Sequence, residues 1–199
     1  FDNDGVTEFA TWVNFDDTIR IYEIPASPHT VQPWPTYTTI PFIHGEGMDI
    51  ADLDGNGTNE LLAGAHYFEH TGGTTWVPHA IDPAYGHSRV IAADLVPGGW
   101  LEVMTCSGDS DGPLNYYTHD NGTWTKTTLI ANARHGHSLE IADFDRDGNL
   151  DVFAAEMGTP GAGAQATAWI GWGNGLGHFT IDIISTGYAN HMSLSLIHI

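Results

Sequence analysis

Carboxylates recur at fixed offsets in three short stretches of the chain. The fullest is Asp143-Phe144-Asp145-Arg146-Asp147-Gly148-Asn149-Leu150-Asp151. The second is Asp52-Leu53-Asp54-Gly55-Asn56-Gly57-Thr58-Asn59-Glu60. The third opens the chain: Asp2, Asp4, Gly5 and Glu8 fit the same template once its first Asp is taken as missing. Acidic or amide side chains at positions 1, 3, 5 and 9, with Gly at 6, bring hard oxygens around a divalent cation, Ca2+ before others. The Gly allows the sharp backbone turn. An EF-hand is the competing metal chemistry, and it requires Glu at position 12 between two helices. Position 12 is Ala63 in one loop and Ala154 in the other, and both flanks read as strand, so the EF-hand is rejected.

Histidine supplies the second candidate chemistry. His44, His87, His137 and His191 recur every 43 to 54 residues, each beside small or polar neighbours. Arg89, Arg134, His135 and Tyr188 lie close to them in sequence. His titrates near neutral pH, so such a set suits anion binding, a metal or acid/base work. Periodic repetition is explained more simply by architecture, each His meeting the same packing problem. Aromatic residues are the third feature, with seven Trp in the chain. Aromatic faces suit sugars, but Trp76 and Trp124 occupy equivalent repeat positions, which favours core. His66-Tyr67-Phe68-Glu69-His70 has the mixture of a site and equally that of an ordinary strand exit. There is no phosphate-binding Gly loop, HExxH, paired Cys or Gly-x-Ser-x-Gly.

The elements that must position these groups read as strands. Met48-Asp49-Ile50-Ala51, Val90-Ile91-Ala92-Ala93 and Leu139-Glu140-Ile141-Ala142 each precede a loop. Leu61-Leu62-Ala63-Gly64, Val103-Met104-Thr105-Cys106 and Val152-Phe153-Ala154-Ala155 each follow one. An aromatic strand and a β-branched strand then complete each unit, for example around Trp124 and over 127–130, with Gly, Pro, Asn and Asp between them. No amphipathic helix is evident. Four strands per unit, repeated at this period, predict an all-β chain built as a β-propeller of four-stranded blades. The blade parts are 1–43, 44–86, 87–136 and 137–190, with 191–193 starting the next. The third unit, Asp94-Leu95-Val96-Pro97-Gly98-Gly99-Trp100-Leu101-Glu102, keeps the first acid, the Gly and the last acid. It has lost the carboxylates at positions 3 and 5, so the same turn is expected there without tightly bound metal. The stretch 158–164 is rich in Gly and opens no helix, so it reads as a long loop.

Bulk composition agrees. The chain has 199 residues, is 41% hydrophobic and carries 25 acids against five bases, a net charge of −20. That is enough apolar content for a core, and a charge that argues against nucleic acid and anionic membrane surfaces. Acids grouped in loops repel one another unless a cation neutralises them. Cys106 is the single cysteine, so no internal disulfide forms. No apolar run is long enough for a membrane-spanning helix.

Together these residues resemble the FG-GAP or VCBS-type repeats of integrin-α-like β-propellers. The run from Ile141 through Asp151 to Val152 lies close to that consensus. The resemblance implies that each loop joins the first two strands of a blade and binds Ca2+. The ligands it implies are Asp143, Asp145, Asp147 and Asp151 in one loop; Asp52, Asp54, Asn56 and Glu60 in another; and Asp2, Asp4 and Glu8 in the partial one. It also implies an extracellular or cell-surface protein that acts in adhesion or carbohydrate binding, with a polysaccharide or cell-surface ligand. The alternative is part of a propeller-fold polysaccharide lyase. His87, Arg89, His137 and Tyr188 would then be the catalytic candidates at the channel mouth.

The chain is expected to be a piece of a longer propeller, an arc of about four blades whose missing blades belong to the parent chain. Its last six residues, Leu194-Ser195-Leu196-Ile197-His198-Ile199, leave the repeat pattern. They resemble the translation of a transposase adapter used in sequencing libraries, as expected of a metagenomic read assembly. Recovering the same codons with independent primers would refute that origin.

Overall fold

The computed structural model describes residues 5–13, 17–35, 37–42, 46–158 and 166–188. His44, His191, Asp2, Asp4, most of the Gly-rich stretch and the last residues lie outside them. The chain is all-β, as the alternating and β-branched segments predict. Its strands form four antiparallel sheets arranged as the blades of a β-propeller.

Blade 1 holds β1 (Glu8–Val13), β2 (Thr18–Glu23) and β3 (Thr38–Pro41) among the described residues. Blade 2 holds β4 (Met48–Ala51), β5 (Glu60–Ala63), β6 (His66–Gly72) and β7 (Thr75–Ala80). A single 3-10 turn, Pro83–Tyr85, leads to blade 3, capped by the Asp82 side chain. Blade 3 holds β8 (Arg89–Ala93), β9 (Glu102–Cys106), β10 (Gly112–Asp120) and β11 (Thr123–Ala133). Blade 4 holds β12 (Gly136–Ala142), β13 (Asp151–Glu156), β14 (Ala166–Gly173) and β15 (Phe179–Tyr188). Strand β8 touches both β4 and β12 across blades, which makes these the axial strands. No helix among the described residues is long and apolar enough to cross a membrane.

The period of two along a strand builds the seams between blades. In β5, Leu61 packs toward blade 1 with Ile19, Ile21 and Phe68, whereas Leu62 packs toward blade 3 with Val90, Val103 and Tyr117. The same alternation recurs one unit later, where Val103 faces blade 2 and Met104 faces blade 4 beside Val152. Side chains of neighbouring residues leave a strand on opposite faces, so the second strand of each blade must be apolar on both. Strands β5, β9 and β13 are accordingly buried at every residue. Each fully buried Leu at such a seam contributes about 1.5–3 kcal/mol by removing apolar surface from water. Trp76 and Trp124 pack against two of these seams, as their equivalent positions predict.

Close backbone approach accounts for two glycines. A Cβ at Gly47 would lie 3.0 Å from the Arg89 Cα, where the axial ends of blades 2 and 3 meet. A Cβ at Gly136 would collide with the Cys106 sulfur across the seam between blades 3 and 4. Cys106 itself is fully buried, and burial pushes its thiol up to about 12.

Candidate metal loops and the channel mouth

The second, third and fourth loops each connect the first two strands of their blade. The pairs that close the connection are Ala51 with Glu60, Ala93 with Glu102 and Ala142 with Asp151. The position-6 glycine has the same left-handed backbone in every loop: φ is 89° at Gly5, 90° at Gly57, 88° at Gly99 and 94° at Gly148. A side chain is strained there, so this Gly is a requirement of the turn.

The position-9 acid does a second job. Glu60 Oε2 accepts the Leu53 N–H at 2.8 Å, and Asp151 Oδ2 accepts the Phe144 N–H at 2.9 Å. In the third loop Glu102 Oε2 accepts both the Leu95 and Val96 N–H groups at 2.9 Å. The last acid therefore fixes the turn whether or not the other acids are present. Burial raises the Glu60 and Glu102 carboxyls above their usual range, and the backbone N–H groups offset part of that rise.

The remaining acids separate the loops. In the second, ligand-capable oxygens of Asp52, Asp54 and Glu60 lie within 4.8 Å of one another. In the fourth, those of Asp143, Asp145 and Asp151 do the same. Asp52 Oδ2 accepts the Gly57 N–H at 2.9 Å, while its Oδ1 is buried with no hydrogen-bond partner. Asp143 Oδ2 accepts the Gly148 N–H at 3.0 Å. An all-oxygen set of this kind, with one buried acceptor unsatisfied, fits a hard cation. Positions 3 and 5 are engaged within the loop as well: Asp54 Oδ1 accepts the Asn56 N–H and Asp145 Oδ1 the Asp147 N–H, both at 3.0 Å. Both Asp147 oxygens accept from the Asn149 side chain, at 3.0 and 2.9 Å, and Asn56 Oδ1 accepts the Thr58 N–H at 2.7 Å. The expected ligands Asp147 and Asn56 are thus held by their own loops. The third loop makes the same turn with Val96 and Gly98 at positions 3 and 5, as its degenerate sequence predicts. Its Leu101 N–H donates to the Leu53 carbonyl at 2.8 Å, tying it to the second loop. Its Trp100 packs against His119, Tyr67 and Trp124. In the partial loop, Glu8 begins β1 opposite Glu23; Asp2 and Asp4 lie outside the described residues.

At the opposite ends of the axial strands, side chains from three blades meet. Arg89 of blade 3 donates from Nη2 to His137 Nδ1 of blade 4 at 3.1 Å. Guanidinium groups only donate, so Nδ1 accepts and the neutral ring carries its proton on Nε2. That Nε2 donates to Asp109, from the loop after β9. Glu46, ahead of β4 in blade 2, completes a cluster with Asp109 and His137 whose polar atoms lie within 4.8 Å of one another. Burial and then the nearby Asp109 charge raise the Glu46 carboxyl. A metal on His137 Nε2 would force the ring proton onto Nδ1, against the Arg89 donor. The hydrogen-bond pattern therefore opposes a cation at this cluster.

Of the four catalytic candidates, the structure joins Arg89 and His137. His87 is exposed and lines the neighbouring cavity. Tyr188 ends β15, the outermost strand of blade 4, and its side chain lies outside the described residues. Arg134 is turned to Glu156, pairing at 3.3 Å. Burial alone would raise Glu156, but hydrogen bonds from the Arg134 N–H and guanidinium outweigh it and lower its carboxyl. Sequence reasoning missed Glu46 and Asp109. Asp109 does stand in a Gly-Asp-Ser-Asp-Gly run, whose density of short polar residues was the available signal.

A family model for the FG-GAP-like repeat matches residues 98–154, from the third loop through the fourth and into β13. No curated protein and no solved structure matches the chain significantly. The matched segment covers most of a loop, four strands and the next loop in the order the sheets show, so the chain carries an FG-GAP-like repeat within a β-propeller of antiparallel blades.

Proposed function

We propose that this chain is a non-catalytic, calcium-stabilised propeller of a secreted or cell-surface protein, acting in adhesion or carbohydrate binding. The observation that supports it is the convergence of carboxylates at positions 1, 3 and 9 in two loops. The third loop makes the same turn with no acid at position 3 or 5. Asp52, Asp54, Asn56 and Glu60 would hold one Ca2+, and Asp143, Asp145, Asp147 and Asp151 another. Asp2, Asp4 and Glu8 would contribute to a third. The ion supplies positive charge that offsets repulsion among the acids and links the two strands that each loop joins. Fold alone does not give the ligand, so the binding role rests on the family's habit.

Thermal unfolding during a calcium titration tests this. Each occupied site stabilises by about 2.7 kcal/mol at a hundredfold excess over Kd, so a clear rise in Tm with Ca2+ and none with Mg2+ is expected. A protein that is β-rich by circular dichroism yet melts identically in Ca2+ and chelator refutes the calcium reading.

One observation favours a second reading, that of a polysaccharide lyase: Arg89 and His137 stand 3.1 Å apart at the channel mouth. A lyase needs a cation against the uronate carboxylate and a base for the neighbouring proton. Here Arg89 would supply the first, but both His137 nitrogens are already engaged. Release of unsaturated product from a uronate polymer, abolished by His137→Ala, would establish it.

A further inference from the structure

A cavity of about 530 Å³ opens between blades 2 and 3 beside the channel mouth, well inside the size range of small-molecule sites. Its wall carries three carboxylates, Glu46, Asp109 and Asp111. It also carries hydroxyls from Ser88, Ser110 and Tyr85. Ser88 is only 3% exposed, and its hydroxyl has no protein hydrogen-bond partner among the described residues. Ser88 lines the cavity, so its hydroxyl is placed to bond an occupant.

Charge then narrows the occupant. No Lys or Arg lines the cavity. The nearest cations are committed elsewhere: Lys126 pairs with Asp82 at 2.8 Å behind Tyr85, and Arg89 donates to His137. Three acids against one adjacent guanidinium leave the wall net negative, even with His87 in the wall counted as charged. An anionic sugar entering it would meet like charge in a partly desolvated space. Carboxylates with free lone pairs suit N–H and O–H donors, and an ammonium most of all.

We propose that this cavity binds an amino sugar whose amine is free, with the ammonium held by Glu46 and Asp111 and a ring hydroxyl by Ser88. The proposal rests on the carbohydrate-binding reading and names its ligand class. It also opposes the uronate substrate that a lyase would need.

Calorimetric titration of the whole chain, in Ca2+ and mildly acidic buffer at physiological salt, tests it with three tetrasaccharides. These are a glucosamine tetramer, its N-acetylated form and a galacturonate tetramer. Binding of the free amine alone is expected. Glu46→Gln and Asp111→Asn should each weaken it about tenfold, the scale of one charge-assisted hydrogen bond. Asp111 lies on an exposed loop, so its variant remains informative if Glu46→Gln fails to fold. Comparable binding of the acetylated or the galacturonate tetramer overturns the amino-sugar assignment and leaves carbohydrate binding standing. Unchanged affinity in Asp111→Asn overturns the site, since the attraction then comes from the overall negative charge. No binding of any tetramer by a protein that still melts as a folded chain overturns the proposal and counts against carbohydrate binding too.

Discussion

The third and fourth loops run the same backbone path with different contents. At position 6 both have Gly in the left-handed region, at 88° and 94°. Both end on an acid that accepts the N–H of position 2. At positions 3 to 5 the fourth loop places Asp145, Arg146 and Asp147, whereas the third places Val96, Pro97 and Gly98. The difference separates two requirements that a consensus motif runs together. Gly and the last acid suffice to shape the turn, and the acids at positions 3 and 5 are additions to it. In the third blade the loop's Trp100 lies tilted against His119, with ring centroids 3.8 Å apart.

The largest test exchanges the last acid in both loops. Asp151 is 1% exposed, and its two oxygens accept the Phe144 and Gly173 N–H groups. Asp151→Ala should cost about 3 kcal/mol in chelator, because two buried donors lose a charged acceptor. Glu102→Ala should cost a similar amount. Denaturant melts of both variants check this, and a loss confined to Ca2+ would mean that the last acid is a ligand only. Next comes Asp145→Ala, which removes a position-3 acid that holds one exposed turn donor, the Asp147 N–H, at 3.0 Å. It should cost about 1 kcal/mol in chelator for that hydrogen bond, and in Ca2+ up to the linkage of one site besides, about 2.7 kcal/mol at a hundredfold excess. An equal loss in both conditions would merge the two requirements again.

Smaller effects sharpen the same contrast. Gly99 has open space where a Cβ would go, so Gly99→Ala isolates backbone strain. It should cost about 1 kcal/mol with or without Ca2+, read from the shift in denaturant midpoint. The smallest change runs in the opposite direction. Val96→Asp gives the third loop acids at positions 1, 3 and 9, matching the trio that converges in the other two. A gain of a few degrees in the Ca2+-dependent part of Tm is expected. No gain would place the decisive ligand at position 5 or in the loop backbone.

Much of this was legible before any coordinates. Loop, strand and blade order follow from a pattern that repeats, because Leu61-Leu62, Val103-Met104 and Val152-Phe153 each solve one packing problem. The degenerate loop was legible because Gly99 and Glu102 survive in it. What escaped were relations that no repeat encodes. Glu46, Asp109, Arg89 and His137 come from three blades and from different unit positions, so their meeting depends on the packing of whole sheets. The engagement of Asp147 with Asn149 escaped for a local reason: a side-chain amide two residues on competes for the oxygens that spacing alone assigns to a metal.

Cys106 carries a consequence of its own. Its sulfur is sealed between β9 and the first residue of β12, and a Cβ at Gly136 would already strike it. A thiol that is both inaccessible and held near 12 does not react while the seam is closed. The rate at which a thiol reagent modifies the folded chain therefore measures how often blades 3 and 4 part, and the molecule holds a single-site clock for its own breathing.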